Sequence, residues 1–277
     1  MTNTCAVSTI TEYNEGQPSG GGSFDTGVWG SGEDELEPTN ACERFNFENL
    51  KLKANFQKTK FQGRLTEISS GIATATVEKS FSFGISTSIS QLETVTPINV
   101  GYANGGSVTI LGSYTTMKVY GAVHTHPKFS EYKAFSAADI FEFAKGNKQN
   151  PDFRYYIVKA YDGSVYGLVI TDLAKLRNFF DNNSKIDFVN DENNFKITSD
   201  IGGDIENLIR FFKNNGKSKN EAYELALAFV LKKYNVGLGL SKMDANGDFK
   251  PLFVNEIMDP QNPKKKIHEP STNCNLN

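Results

Sequence analysis

Two histidines stand two residues apart at the end of an apolar run, KVYGAVHTH over residues 118–126, and Pro127 follows at once. Side chains alternate across a strand, so His124 and His126 project from one face and can share a single ion. Asp139 comes thirteen residues after His126, and a connection of that length easily folds a carboxylate back onto the strand's end. Two imidazoles and one carboxylate suit zinc at about 2.0–2.2 Å per ligand and leave a fourth position for water, as a catalytic site requires. Such a water titrates near about 7 and supplies hydroxide at neutral pH.

Each half of this set has an ordinary explanation when taken alone. Ser136-Ala137-Ala138-Asp139 is the form of a capped helix start, in which the serine caps and the acid favours the helix N-terminus. A lone histidine at a strand end is more often hydrogen-bonded than metal-bound. The combination carries the case, because two of the three histidines in the chain fall on one strand face just before the capped acid. Glu131 also completes an HxHx4E pattern, the first half of a cupin metal site. That all-β barrel needs a further histidine in a later strand, and only His268 remains, in a polar stretch. Asp244 to Asp248 resembles the start of a calcium loop, but Phe249 stands where glycine belongs and Asn255 at the last ligand position, so a hairpin turn explains it better.

The elements that must position these residues follow from periodicity. KVYGAVHTH is of strand length, and Ser136 opens a helix that carries Ile140, Phe141, Phe143 and Ala144 and ends near Gly146. RYYIVKAY and SVYGLVI flank Asp162-Gly163, a strong signal for a tight hairpin, and residues 172–181 return to a helical pattern. Two more amphipathic helices are expected over 204–214 and 218–234, and a second hairpin about Asn246-Gly247. Upstream, the β-branched runs Ile72–Val77 and Val108–Leu111, separated by turn clusters such as Ala103-Asn104-Gly105-Gly106, make the stretch from Arg44 onward read as strand-rich. Residues 14–40 are dense in Gly, Ser, Pro and acidic residues and read as a flexible linker. No internal repeat is visible.

The motif HTHP at 124–127 followed by SAAD at 136–139 resembles the HxHP…SxxD signature of the JAB/MPN/JAMM metalloproteases, a family of zinc-dependent peptidases and isopeptidases. The resemblance covers roughly residues 44–182 and implies one zinc ion per chain held by His124, His126 and Asp139, with Ser136 steadying the oxyanion. It further implies a glutamate on an early strand as general base. Glu67, followed by Ile68-Ser69-Ser70-Gly71-Ile72, resembles the family's Glu-hydrophobic-small-Gly opening; Glu78 is the reserve, and Glu93 also lacks that sequel. Two departures stand out. Residues 127–135 make the connection between His126 and Ser136 two residues longer than is usual in the family, and nothing between Asp139 and the Asp162-Gly163 hairpin corresponds to the segments that ubiquitin-cleaving members use. Ubiquitin is therefore not the expected substrate.

The expected fold is a mixed α/β (α+β) domain, a sheet flanked by helices: a linker over 1–43, a JAB/MPN-like metallohydrolase core over 44–182, and a helical and hairpin extension with a polar tail over 183–277. The expected activity is hydrolysis of a peptide or isopeptide bond in a peptide or protein substrate, with a catalytically silent binding or scaffold module as the alternative. With 29 Lys+Arg against 32 Asp+Glu, the chain lacks the basic excess that draws a protein to nucleic acid, and Lys264, Lys265 and Lys266 read as a solvated tail. No apolar run approaches the ~20 residues of a membrane span. Cys5, Cys42 and Cys274 lie outside the patterned middle; an odd count cannot pair fully, and two of them could join the flanks. The acidic, glycine-rich leader is similar to those of secreted or envelope-associated bacterial members of the family, and an upstream segment is compatible with the linker-like start.

Overall fold

The computed structural model describes residues 9–11, 38, 40–102, 108–274 and 276. Cys5, the cluster Ala103–Gly106 and nearly all of the Gly/Ser/acidic stretch lie outside them.

The chain is α+β, built on an eight-stranded mixed sheet. Its strands are β2 (Lys79–Ser86), β3 (Glu93–Val95), β4 (Asn99–Val100), β6 (Met117–His126), β7 (Tyr155–Ala160), β8 (Val165–Ile170), β9 (Leu238–Met243) and β10 (Phe249–Pro251). They run in the order β10-β9-β8-β7-β6-β2-β3, with β4 also pairing with β2. Short β1 (Thr9–Thr11) and β5 (Thr109–Leu111) pair in parallel apart from this sheet. There is no barrel among the described residues, so the cupin alternative is set aside.

β6 and β7 are the parallel pair of this sheet, and a parallel pair needs a crossover, which here is helix α3 (Ala137–Gln149). α3 covers one face of the sheet together with α4 (Leu173–Asn182), the short α5 (Lys185–Phe188), α6 (Asp200–Asn214) and α7 (Lys219–Lys233). Ala122, Tyr156, Val158, Leu168 and Leu240 point into that layer. The opposite face, with Phe81, Phe83, Val123, Ile157 and Val169, is covered by α1 (Ala41–Phe56) and α2 (Thr59–Ser69). Along β6, successive residues thus alternate between two dry layers, and Ala122 places His124 and His126 on the α3 side.

The two hairpins form where expected, at Gly163 and Gly247, both in the positive-φ conformation glycine tolerates. β9 adds to β8, so residues from the C-terminal part belong to the same sheet as the histidine strand. The upstream reading needs correction. Residues 41–69 are helical rather than strand-rich, and Ile72–Val77 is turn and bend. The segment FNFENLKL places Phe45, Phe47, Leu50 and Leu52 in near-alternation, which imitates a strand. The buried stripe of α1 is instead Phe45, Glu48, Asn49, Leu52 and Phe56 at helical spacing, with Leu50 turned to solvent.

The C-terminal stretch is also no loose tail. β11 (Phe253–Asp259) and β12 (Asn262–Ser271) form an antiparallel hairpin, with Lys264, Lys265 and Lys266 exposed on β12. Cys274, just beyond it, is disulfide-bonded to Cys42 of α1 with a Cα–Cα distance of 5.8 Å. That bond spans 232 residues of sequence and is consistent with an extracellular or periplasmic protein, where such cross-links persist. No helix among the described residues is long and apolar enough to cross a membrane.

Candidate metal centre

His124 and His126 end β6, and Asp139 sits in the first turn of α3, at the carboxyl end of a strand and the N-terminus of the helix that follows it. All three are buried, and their ligating atoms converge. The Nε2 atoms of the two histidines are 3.0 Å apart, and the Asp139 carboxylate is 3.4 Å from His124 Nε2 and 3.6 Å from His126 Nε2. A tetrahedral ion with ligands at about 2.0–2.2 Å has donor–donor edges of about 3.3–3.6 Å. The separations, with Asp139 Oδ1 nearest His124 and Oδ2 nearest His126, are close to those edges, and the Nε2–Nε2 distance is somewhat shorter.

The hydrogen bonds around the triad hold that geometry. His126 Nδ1 faces the Tyr132 carbonyl at 3.1 Å, and a carbonyl only accepts, so Nδ1 carries the hydrogen and Nε2 presents its lone pair to the centre. With His126 Nε2 a lone pair, a proton or a cation must lie between it and His124 Nε2. Asp139 is held by Ser136 in a capping box: Ser136 N and Oγ both donate to Asp139 Oδ2 at 2.8 Å, and Asp139 N donates back to Ser136 Oγ at 3.1 Å. The capping motif and the metal motif are thus one object, since the bonds that start α3 also fix the carboxylate on the histidines. Ser136 spends its hydroxyl hydrogen on Asp139, a carboxylate-orienting bond.

Burial works against every charge here. It would raise the Asp139 carboxyl, but the two histidines together outweigh it and hold that group well below the usual carboxylate range. Burial lowers His124, favouring the neutral ring that binds metal.

Glu67, expected as the base on an early strand, stands on helix α2 and is paired through Oε2 with Arg64 Nη1 at 2.7 Å. Its side chain is 57% exposed, in contrast to the sealed triad, so the sequence-based choice between the two glutamates is not supported by position. Glu78, the reserve, immediately precedes β2. Ser80 pairs with His124 across the antiparallel β2–β6 ladder, and continuing the register sets Glu78 opposite His126. Glu78 Oε1 lies 3.8 Å from His126 Nε2. Neither Glu78 carboxylate oxygen has a hydrogen-bond partner among the described residues. A buried, unpartnered carboxylate costs several kcal/mol if ionised, and burial followed by the nearby Asp139 charge pushes Glu78 well above the usual range. An orphaned acid aimed at a cluster of metal-type donors is what a cation or an activated water would satisfy.

The signal for Glu78 was in the sequence: Glu78-Lys79-Ser80-Phe81-Ser82-Phe83 alternates, with Phe81 and Phe83 on the α1–α2 side and Ser80 and Ser82 on the His124 side. Glu131, the cupin-type partner, accepts instead from Asn194 Nδ2 at 2.6 Å and pairs with Lys219. His268 packs on β12 against Phe211 and Phe229 and takes no part in the centre.

No family model, curated protein or solved structure matches the chain. The buried His124, His126 and Asp139 in a mixed α/β fold therefore stand on their own geometry as a set that could hold a metal ion.

Proposed function

We propose that the protein is a zinc-dependent hydrolase that cleaves a peptide or isopeptide bond, with His124, His126 and Asp139 as ligands and Glu78 in place of Glu67 as general base. The observation that carries this reading is the unpartnered Glu78 carboxyl beside the triad, since a purely structural packing of these residues offers it no partner. A divalent ion held there would supply Lewis acidity, acidifying water and polarising the scissile carbonyl. Glu78 takes the proton of the attacking water and hands it to the departing amine, a role its raised affinity for a proton suits. Asp139, fixed by the Ser136 cap, and His126, fixed by the Tyr132 carbonyl, keep the donors from turning away. Ser136 orients Asp139; acting on the oxyanion as well requires its hydroxyl to leave the 2.8 Å bond. In this reading residues 44–182 are the catalytic core and 183–277 an extension that braces it, in a protein working outside the cytoplasm on peptide or protein substrates other than ubiquitin.

The complete burial of the site favours a second reading. His124 and Asp139 have no exposure, and Glu78 has 1%. Glu78 would then be a fourth ligand, closing a structural metal site, and the module would bind rather than cut. The Glu78→Gln variant separates the two: a base substitution leaves metal content at one ion per chain and abolishes peptide-library cleavage, whereas a ligand substitution strips the metal.

A further inference from the structure

The connection 127–135 between His126 and Ser136 does not stand free. Tyr132 lies flat on Tyr223 of α7, with ring centroids 3.7 Å apart and planes 8° from parallel. Tyr223 Oη donates to the Phe135 carbonyl at 2.8 Å, Lys133 N donates to Asn220 Oδ1 at 3.2 Å, and Lys219 pairs with Glu131 at 3.1 Å. Residues 131–135 are therefore strapped along the first turn and a half of α7, an element from the far end of the chain. The same segment presents the Tyr132 carbonyl to His126 Nδ1.

We propose that Tyr223 is a positioning residue for the metal ligand His126, acting through the stacked Tyr132 ring and the Tyr132 carbonyl that holds His126 Nδ1. The argument is mechanical. A carbonyl can fix a tautomer only if its own peptide plane is fixed, and the backbone of a surface connection has no such constraint by itself. Tyr132 carries both the carbonyl and the ring, so seating the ring on Tyr223, with the Lys219 ammonium also 4.9 Å from its centroid, sets the plane of its peptide. The hydroxyl of Tyr223 pins the other end of the segment at Phe135, next to the cap residue Ser136. One side chain on α7 thus bears on both routes to the centre: through Tyr132 to His126, and through Phe135 to the Ser136–Asp139 cap. The extension is in this sense part of the metal site, reached by residues 131–135 of the connection.

This inference rests on the reading of His126 as a ligand, and its test separates the two. In metal-free protein, nitrogen NMR of the imidazoles reports the His126 tautomer directly, and competition with a chromophoric chelator then reports zinc affinity. The wild type is expected to show His126 protonated at Nδ1. Tyr223→Leu, which removes the stack, is expected to give a mixture of tautomers and to weaken zinc binding about 10- to 100-fold, the range seen when a ligand's outer partner is lost. Tyr223→Phe keeps the stack and should restore the single tautomer, with affinity within a few-fold of wild type. Tyr132→Ala, at a partly exposed position, repeats the loss should Tyr223→Leu fail to fold, and Leu227→Ala, in the buried face of the same helix, controls for mere destabilisation. A single Nδ1-protonated tautomer in both Tyr223→Leu and Tyr132→Ala overturns the proposal, as does an affinity loss in Leu227→Ala equal to theirs. A wild type that binds no zinc but loses its tautomer preference in the variants defeats the ligand reading and leaves the positioning intact.

Discussion

Glu78 and His126 face each other across the β2–β6 pairing, with Glu78 Oε1 3.8 Å from His126 Nε2 and no other partner for the carboxyl among the described residues. Neither residue is remote from water by accident of sequence. Ser80 and Ser82 continue the polar side of β2 and donate to the carbonyls of Thr109 and Leu111, so this side of the strand is built for polar groups while Phe81 and Phe83 fill the other. The consequence for chemistry is a division between two glutamates that sequence alone ranked the other way.

That division predicts unequal variants. Glu78→Gln should lower the rate of amide hydrolysis by about 10²–10⁴-fold, the usual contribution of a general base, while Glu67→Gln, which removes only a surface pair with Arg64, should leave the rate unchanged. Steady-state rates on a peptide library read both. An unchanged rate in Glu78→Gln would remove Glu78 from the reaction.

A pH signature follows from the same carboxyl in metal-free protein. Burial raises Glu78 above its ordinary value of 4.5, so the folded state holds a proton that the unfolded chain releases. Such a group contributes stability that is fully present below about 4.5 and is lost as pH rises through the folded value. His124 has the opposite sign: lowered from 6.5, its contribution is present above that value and lost as pH falls through the folded one. The wild-type curve mixes these with Asp139 and other shifted groups, but the difference between wild type and Glu78→Gln isolates what depends on this acid. Denaturant titrations should show the variant gaining on wild type from pH 4.5 upward, and a flat difference would mean that Glu78 is not held as described.

The Ser136 cap starts the helix and holds the carboxylate of the proposed metal ligand Asp139, so its loss should register twice. Ser136→Ala removes two buried hydrogen bonds around Asp139 and should cost about 1–2 kcal/mol in metal-free stability. It should also weaken metal binding about 10-fold or more through the freed carboxylate. A variant that loses stability yet binds metal as the wild type does would reduce the serine to a cap.

How much of this was legible beforehand depended on whether local pattern and burial agreed. β6, α3 and both hairpins were readable because their signals are local, an apolar run of strand length stopped by Pro127, the Ser136 cap and the glycines at 163 and 247, whereas α7, expected as amphipathic, is buried all round over Ala222–Leu231. α1 was misread because Glu48 and Asn49 occupy its buried stripe while Leu50 is exposed, an inversion that only tertiary partners such as the Tyr155 hydroxyl, 2.6 Å from Glu48, explain. The ligand trio could be found because its spacing is local. Glu78 has a local hint in the alternation of residues 78–83, but its nearness to His126 depends on the register of β2 and β6, which no local pattern encodes. The strap from α7 lay further still, in contacts between residues 131–135 and 219–223 that no local pattern encodes.

The cross-link at the chain's ends gives a prediction about stability rather than chemistry. Closing a loop between Cys42 and Cys274 removes unfolded-chain entropy worth about 2–5 kcal/mol. Reduction, or replacement of both cysteines by serine, should lower the denaturation midpoint accordingly and leave metal content untouched, since neither cysteine belongs to the donor set. Denaturation with and without reductant measures it, and an unchanged midpoint would mean that α1 and the C-terminal hairpin hold together without the bond.

The most direct measurement is metal content. Purified protein loaded with zinc and freed of excess ion should carry one ion per chain by elemental analysis, and His124→Ala, His126→Ala and Asp139→Ala should each reduce that to near zero while the fold persists by circular dichroism. A wild type that retains no stoichiometric ion, or a His126→Ala variant that retains as much as the wild type, would contradict the account at its centre.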